Sequence, residues 1–599
     1  MPSKPVLIYD GECGFCRLWL DYAQALLGVS VEWLPSRQIR DRFPEIDRTE
    51  FKRTVVFVDG AGSVHYGAGA IFTLLALAPN RGFWLWLYHV LPPFRWISEG
   101  AYGWIAAHRN AAYTLTKYSF GRVIRPLNYR ITESLFLRVL GIVYWFAFAS
   151  LQGQIVGLIG AHGITPVARA MAAMHSEAGW KAVLVVPSIF WFGNSDSWLL
   201  WVCNAGMIAS VVLTIGGWLG QWWQRIAALF CFVLYLSVST IGQPFTLFQW
   251  DALLTEAGFL AIFSGIPFLV WPYRLLLFRL MFESGCVKLL SHDPSWRNLH
   301  ALRFHFMTQP LPNPPAYYVY QSPGWILDTL TLLTLLIEIV CPWLLFLPRR
   351  IRHFGIGLLI VLQVCILLTG NYAFFNWLSI ALCLWAFDDR AFSKLTHFLR
   401  RSTVLVRSIA VRQAATVVLA ALMLLGSLQA VALFAPSVER PFARLLAFLA
   451  PWQIVNSYGL FAVMTTTRPE VIYEGSNDGQ HWREYSFKYK PGNTHRSLPL
   501  IAPLQPRLDW QLWFAALGAY QENPWTGNLA VRLLQGEPAV LNLMNPPPFS
   551  KPPKFIRASI YDYWFTTPAE RRKTGAIWNR RYERVFIPAF SLDMLRPAQ

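Results

Sequence analysis

The sequence predicts a mixed architecture: a small α/β domain at the N-terminus, a polytopic α-helical membrane body and a β-rich, sandwich-like C-terminal domain. Three observations predict it. A Cys-x-x-Cys pair in YDGECGFC (Tyr9 to Cys16) sits between a strand-type run and a helical run. From about Leu135 onward long apolar segments dominate the chain, and its last stretch returns to short strand-like runs separated by turn residues.

Composition supports the membrane body before any motif is weighed. The 599 residues are 55% hydrophobic and 14% charged, with a mean hydropathy of +0.36, values that fit several bilayer crossings and not a soluble chain. The net charge of +19 is carried by Lys and Arg clustered beside apolar segments. A positive-inside topology accounts for that pattern, so lipid and not nucleic acid is the expected partner. The opening MPSKPVLIYDGECGFC lacks an apolar stretch of roughly 7 to 15 residues and a small-residue cleavage site, so the N-terminal domain is expected in the cytosol.

The first domain is expected over residues 1–121. VLIYD reads as strand, CRLWLDYAQALL as helix, VEWLP as strand, TVVFVDGAGSVHY as a hairpin turning at Asp59-Gly60, and 68–78 as a short helix. Strand, helix, strand, hairpin, helix is a thioredoxin-like order. The chemistry needs Cys13 at the helix N-terminus, where unpaired N–H groups and the helix dipole stabilise a thiolate; Cys16, one turn on, is then the resolving thiol. Asp10 disfavours a second negative charge unless it accepts a proton from Cys16, and Arg17 either offsets it or points to solvent. A metal half-site or an inert pair is the competing reading, but zinc requires a second ligand pair that the motif lacks. No metal or cofactor is expected. The other six cysteines (Cys203, Cys231, Cys286, Cys341, Cys365, Cys383) fall singly in apolar segments, with no disulfide framework.

Asp10, Cys13 and Cys16 reproduce the Asp-x-x-Cys-x-x-Cys motif of the DCC thiol-disulfide oxidoreductase family. VFVDGAGSVHYGAGAIFTLL and HRNAAYTLTKYSFG are also similar to that family, and the resemblance covers most of the first 120 residues. It implies thiol-disulfide exchange at Cys13 and Cys16 with a cytosolic thiol partner.

The membrane body is expected over residues 128–437, after a basic run of Lys117, Arg122, Arg125, Arg130 and Arg138. Candidate crossings are 139–159, 198–218, 226–248, 252–271, 326–347, 354–369, 372–387 and 414–435. Two basic loops should be cytosolic, one with Arg349, Arg350, Arg352 and His353, the other with Arg390, Lys394, Arg400, Arg401 and Arg407. Eight crossings threaded in order would put the first of these outside, so parity demands a ninth. The segment 273–290, YRLLLFRLMFESGCVKLL, supplies it, although Arg274, Arg279, Glu283 and Lys288 interrupt it. Arg279 and Glu283 lie four residues apart and are expected to pair on one helical face; a reentrant or interfacial helix is the alternative.

QWDALLTEAGFLAIF, FRLMFESGCVKL, FHFMTQPLPNPPAYY and GNYAFFNWLSI resemble the lipase maturation factor family. So do YEGSNDGQHWREYSFKYKPG, LQPRLDWQLWFAALG and NPWTGNLAVRLLQG, and the likeness extends from about Asn128 to Phe586. Its eukaryotic members are multi-pass proteins of the endoplasmic reticulum that help dimeric lipases fold, so the resemblance implies an exported client such as a lipase. A DCC domain is not part of their pattern, which points to a bacterial inner-membrane setting, or the endoplasmic reticulum membrane if the source is eukaryotic, with the C-terminal domain outside.

The last domain, 438–599, reads as a sandwich with some helix. VIYEGSNDGQHWREYSFKY is strand, turn, strand cornered at Asn477-Asp478-Gly479, and AVLNLM and KFIRASIYDYWFT are strand-like. Its Trp and Tyr residues could hold a client or simply fill the core.

Other constellations carry less. Asp251 and Glu256 are five residues apart and share no helical face, so polar caps or interhelix hydrogen bonds suit them better than a catalytic pair. The spacing of His292, His300 and His305 fits no compact metal motif. Lys288 invites a comparison, by membrane architecture alone, with vitamin K-dependent carboxylase-like enzymes in which a membrane lysine acts as a base. There is no G-x-S-x-G elbow, Walker loop or dinucleotide fingerprint. Two functions follow: a maturation factor for exported proteins with a cytosolic redox head, or a multi-pass membrane thiol-disulfide oxidoreductase. The isolated membrane cysteines favour the first.

Overall fold

The computed structural model describes residues 4–39, 42–44, 46–47, 50–78, 81–121, 124–125, 127–395, 406 and 408–595. Of the basic residues used for orientation, Arg122, Arg400, Arg401 and Arg407 lie outside them. The chain forms two units, one of Met1–Asn128 with Phe346–Phe354, the other of Tyr129–Leu345 with Gly355–Gln599.

The first unit is built on a mixed four-stranded sheet of order β2-β1-β3-β4, with β1 Val6–Tyr9, β2 Glu32–Pro35, β3 Val56–Val58 and β4 Val64–Tyr66. β1 runs parallel to β2 and antiparallel to β3. Period-two alternation sends Val6, Ile8, Val56 and Val58 to one face and Leu7 and Phe57 to the other, and both faces are buried. The Leu7 face is covered by α1 (Gly14–Leu27) through Ala23 and Leu27, and by α2 (Gly67–Ala76) through Ala70 and Leu74. The order of elements is the one expected from sequence. Three further helices follow, α3 (Phe83–Val90), α4 (Pro92–Ala107) and α5 (Arg109–Phe120).

The second unit is a helical body closed at one end by the C-terminal residues. Nine helices among the described residues run back and forth through it: α6 (Arg130–Gln152), α7 (Asp196–Leu219), α8 (Gln221–Ile241), α9 (Gln249–Ala261), α10 (Val270–Leu290), α12 (Gly324–Val340), α13 (Arg349–Thr369), α14 (Phe375–Cys383) and α15 (Ile409–Ala432), with α11 (Ala301–Thr308) in the connection between α10 and α12. Side-chain contacts fix their alternation. Near one end, Glu133 of α6 accepts from the N–H of Gly265 beyond α9 at 2.6 Å, Arg225 of α8 donates to Ser264 O at 2.9 Å, and Arg274 of α10 donates to Trp385 O beyond α14 at 2.9 Å. Near the other end, Ser150 of α6 meets Gln505, Phe245 beyond α8 meets Arg507, and Thr369 of α13 meets Gln309.

Six segments, Arg130–Gln152, Asp196–Leu219, Gln221–Ile241, Gly324–Phe346, Arg349–Thr369 and Ile409–Ala432, are long and apolar enough to cross a membrane. The other three traverses are α9 and α14, which are short, and α10, which carries the buried charges Arg274, Arg279, Glu283 and Lys288. Protein neighbours surround these three, which is the setting in which short or charged segments are tolerated. The first crossing begins earlier than the hydropathy of 139–159 indicates, because Asp389 accepts from the N–H groups of Arg130 (3.1 Å) and Ile131 (2.9 Å) and caps the helix there. The crossing expected at 252–271 stops at Ala261, since Gly265 has φ 81° and Pro267 follows.

The C-terminal region contains a four-stranded antiparallel sheet of order β6-β5-β7-β8: β5 Pro469–Ser476, β6 Arg483–Glu484, β7 Phe555–Phe565 and β8 Trp578–Phe590. The hairpin corner falls as expected, with Gly479 at φ 77° and Ser476 Oγ accepting from the Gly479 N–H at 2.9 Å. The layer against the sheet is helical, in keeping with a sandwich expected to hold some helix, and AVLNLM, read as a strand, differs. The layer consists of α16 (Arg507–Leu517) and α17 (Trp525–Gln535), and within AVLNLM the chain turns through α18, Pro538–Leu541. Pro538 at the first helical position and a cluster of buried side chains around Val540 favour the helical turn there.

Candidate functional site

In the first unit, β1 delivers the chain to a tight loop, Asp10 to Glu12, and Cys13 caps α1. Asp10 Oδ1 accepts from the Glu12 N–H at 3.0 Å, fixing the loop, and Asp10 Oδ2 pairs with Arg109 at 3.0 Å. Cys13 Sγ accepts from the Cys16 N–H at 3.3 Å, so the sulfur lies at the positive end of the helix. Burial pushes the Cys16 thiol up to about 12, and the hydrogen bond and charge of Cys13 act in the same direction. One sulfur is therefore presented at a helix terminus while the other is held protonated behind it. The cation opposite Asp10 is Arg109, on α5, and not Arg17, whose Nε donates to Gly11 O at 2.6 Å. Arg109 sits in the HRNAAYTLTKYSFG stretch, but spacing gives no sign that it returns to the Cys pair.

Two openings meet at these cysteines. A shallow cleft of about 440 Å³ is lined by Glu12, Cys13, Gly14, Asn110 and Tyr113. Behind Cys16 a cavity of about 340 Å³ is walled by Leu20, Ala23, Ile71, Leu75 and Ile105, with Asp10 and Arg109 at its polar end. Its size is within the range of ligand pockets, and its wall suits an apolar group delivered next to a thiol.

In the second unit the charged residues singled out on α9 and α10 sort into three buried clusters. Asp251 is gripped by Arg507 of α16, Nη1 to Oδ2 at 2.9 Å and Nη2 to Oδ1 at 2.8 Å, and Tyr235 donates to the same carboxylate. Glu256 pairs with Arg279, and it also accepts from Asn456 Nδ2 at 2.9 Å and the Tyr458 hydroxyl at 2.8 Å. This corrects the expected pairing of Arg279 with Glu283 along one helix. The guanidinium turns to the neighbouring α9, and Glu283 accepts from the Tyr458 N–H at 2.6 Å instead. Lys288 pairs with Glu338 of α12 at 2.7 Å and borders a small cavity of about 50 Å³ with Trp250, Tyr372 and Phe461. Asp251 and Glu256 thus face different partners, as their spacing requires.

A fourth cluster ties the terminal sheet to the body. Arg468, fully buried, donates to the carbonyls of Met307 (2.8 Å), Gln309 and Pro310 (2.7 Å). Glu470 balances it at 2.8 Å and Lys490 at 3.0 Å. Glu338 was missed from sequence, although it is the one charged residue in the apolar run 329–347; Arg507, Tyr458 and Arg468 gave no local signal. Of the three histidines, His305 approaches the Tyr372 hydroxyl at 3.0 Å.

Comparison with known proteins follows this division. Residues 131–394 match the lipase maturation factor transmembrane domain, 454–588 the lipase maturation factor C-terminal domain, and 7–114 a DCC1-like thiol-disulfide oxidoreductase. Lipase maturation factor 2 of Xenopus laevis is 34% identical, covering 78% of this chain and 83% of that protein. Its counterpart in Homo sapiens is 32% identical over 77% and 83%. Lipase maturation factor 1 of Bos taurus is 32% identical over 79% and 91%. No solved structure matches.

Proposed function

Because the chain belongs to the lipase maturation factor family and carries a DCC1-like domain at its N-terminus, we propose that it is a membrane-embedded folding factor for exported proteins, lipases among them, served by a thiol-disulfide redox head. The observation that carries this reading is that both lipase maturation factor domains, Phe346–Phe354 apart, fall on one unit of the structure, with the C-terminal sheet anchored to the helical body through Arg468 and Arg507. Such anchoring suits a rigid client-holding surface better than a tethered independent module.

Odd traversal supports the topology. With nine passes the start of α6 and the terminal sheet lie at opposite ends of the body, so a cytosolic N-terminus puts the sheet on the export side, where clients emerge. In the head, Cys13 attacks a disulfide sulfur of the partner, forming a mixed disulfide and releasing that partner's other sulfur as thiolate. The sulfur of Cys16, on losing its proton, then attacks Cys13 Sγ, leaving a Cys13–Cys16 disulfide and a reduced partner. Asp10, held by Arg109 at the polar end of the cavity, is the acceptor for the Cys16 proton.

Expression in cells lacking their own lipase maturation factor, with a secreted lipase as reporter, tests the reading. Restored secreted lipase activity is the expected result, and unchanged activity alongside correct membrane insertion would remove lipases from the client list. For the head, Cys16→Ser should trap a mixed disulfide through Cys13; absence of any trapped partner under oxidising conditions would refute the assigned roles.

A further inference from the structure

The redox head carries a face that its own fold does not explain. α3 and α4 meet at Pro92-Pro93, and their outer surface exposes Phe83, Trp84, Trp86, Trp96 and Ile97, with Trp96 74% exposed. Three of these side chains are contiguous: Phe83 packs against Trp84 and Trp86 at ring separations of 5.4 and 5.9 Å, and Trp84 stacks on Phe94 of α4 at 6.0 Å. The inward side of the same helices is satisfied separately, with Tyr88 buried and donating to Glu99 at 2.6 Å. An exposed patch this rich in large apolar side chains marks a binding surface.

We propose that this face docks the head on the membrane surface, with its indoles in the headgroup layer of a leaflet that carries anionic lipid. Charge selects lipid over a protein partner. From Arg81 to Ser98 there is no acidic residue, while Arg81, His89 and Arg95 are all exposed around the aromatic cluster. The nearest carboxylate, Glu99, is turned inward onto Tyr88 and the N–H groups of Ala68 and Gly69. Tryptophan flanked by cations is the composition of membrane-interface anchors. The same chain is embedded in that membrane, so the bilayer is always within reach, and a weak surface affinity is enough to hold the head there. The inference rests on membrane residence alone and is independent of any client.

The test uses the full-length protein in nanodiscs containing anionic phospholipid, with a photo-reactive benzoylphenylalanine placed singly at Trp86, Trp96 or Val29, the last being 86% exposed on the same unit. Unchanged alkylation of Cys13 certifies that each head is folded. Mass spectrometry of the irradiated protein should find lipid adducts at positions 86 and 96 at least tenfold above position 29. Adducts to this chain or to a second copy, equal yields at all three positions, or no adduct at 86 and 96 would each overturn the proposal.

Discussion

Arg507 holds both carboxylate oxygens of Asp251 across 256 residues of sequence, and neither side chain reaches solvent. A bidentate pair of this kind fixes direction as well as distance, so α16 of the C-terminal region is locked to the first turn of α9. Removing one partner strands a buried charge. Arg507→Met and Asp251→Leu alone should each lower stability by about 3–5 kcal/mol, whereas the double apolar variant should recover much of that loss. Thermal unfolding of the purified protein in one detergent, comparing the three variants, reads the difference directly.

The Arg279 cluster separates two arrangements that a helical wheel cannot. If Arg279 were paired along α10, loss of Glu283 would cost most; in the structure Glu256 bears the ion pair and three further hydrogen bonds, while Glu283 accepts one backbone N–H. Glu256→Gln should therefore destabilise by several kcal/mol, about the cost of exposing a buried partner charge, and Glu283→Gln by about 1–2 kcal/mol, since an amide oxygen still accepts from Tyr458. Equal effects in the same unfolding assay would contradict the geometry.

These two clusters also show where sequence stops being informative. Six of the expected crossings were legible, because apolar runs of membrane length mark them directly. The Cys13 and Cys16 geometry was legible because a strand, a turn and a helix in that order place a sulfur at a helix terminus. Partners were not. Arg507 answers Asp251, and Arg109 answers Asp10, from about a hundred or more residues away, and no local period encodes which distant cation arrives. One run of the terminal region was misread for a related reason: AVLNLM is apolar enough for a strand, and only the tertiary packing of Val540 decides for a helical turn.

Thiol reactivity follows from the burial of Cys16. With its thiol pushed up to about 12, Cys16 is protonated at neutral pH, and iodoacetamide at pH 8 should label Cys13 and spare Cys16. The raised value also sets a sign for stability. An unfolded thiol ionises from about 8.5, so the stabilisation from keeping Cys16 neutral is complete below that pH and is lost as pH rises through about 12. Cys16→Ser should flatten this alkaline loss of head stability. Alkylation mapped by mass spectrometry, and proteolytic sensitivity of the head between pH 8 and pH 10, check the two statements.

Truncation before residue 438 tests whether the C-terminal region is a separable module. Separable modules leave intact bodies behind when they are removed. Here removal takes away Arg507, leaving Asp251 buried in the body beside Tyr235, and it takes away Arg468, leaving the carbonyls of Met307, Gln309 and Pro310 without their donor. Glu256 and Glu283 also lose Asn456 and Tyr458. Each stranded group is costly in a low-dielectric interior, and their sum exceeds the stability of an ordinary domain. The shortened protein should aggregate on extraction or be degraded in the cell; Asp251→Leu, which removes the carboxylate left without Arg507, should recover part of the loss, whereas Glu256→Leu, which strands Arg279, should not. A monodisperse, thermally stable truncated body carrying the native residues would show that the two regions fold independently.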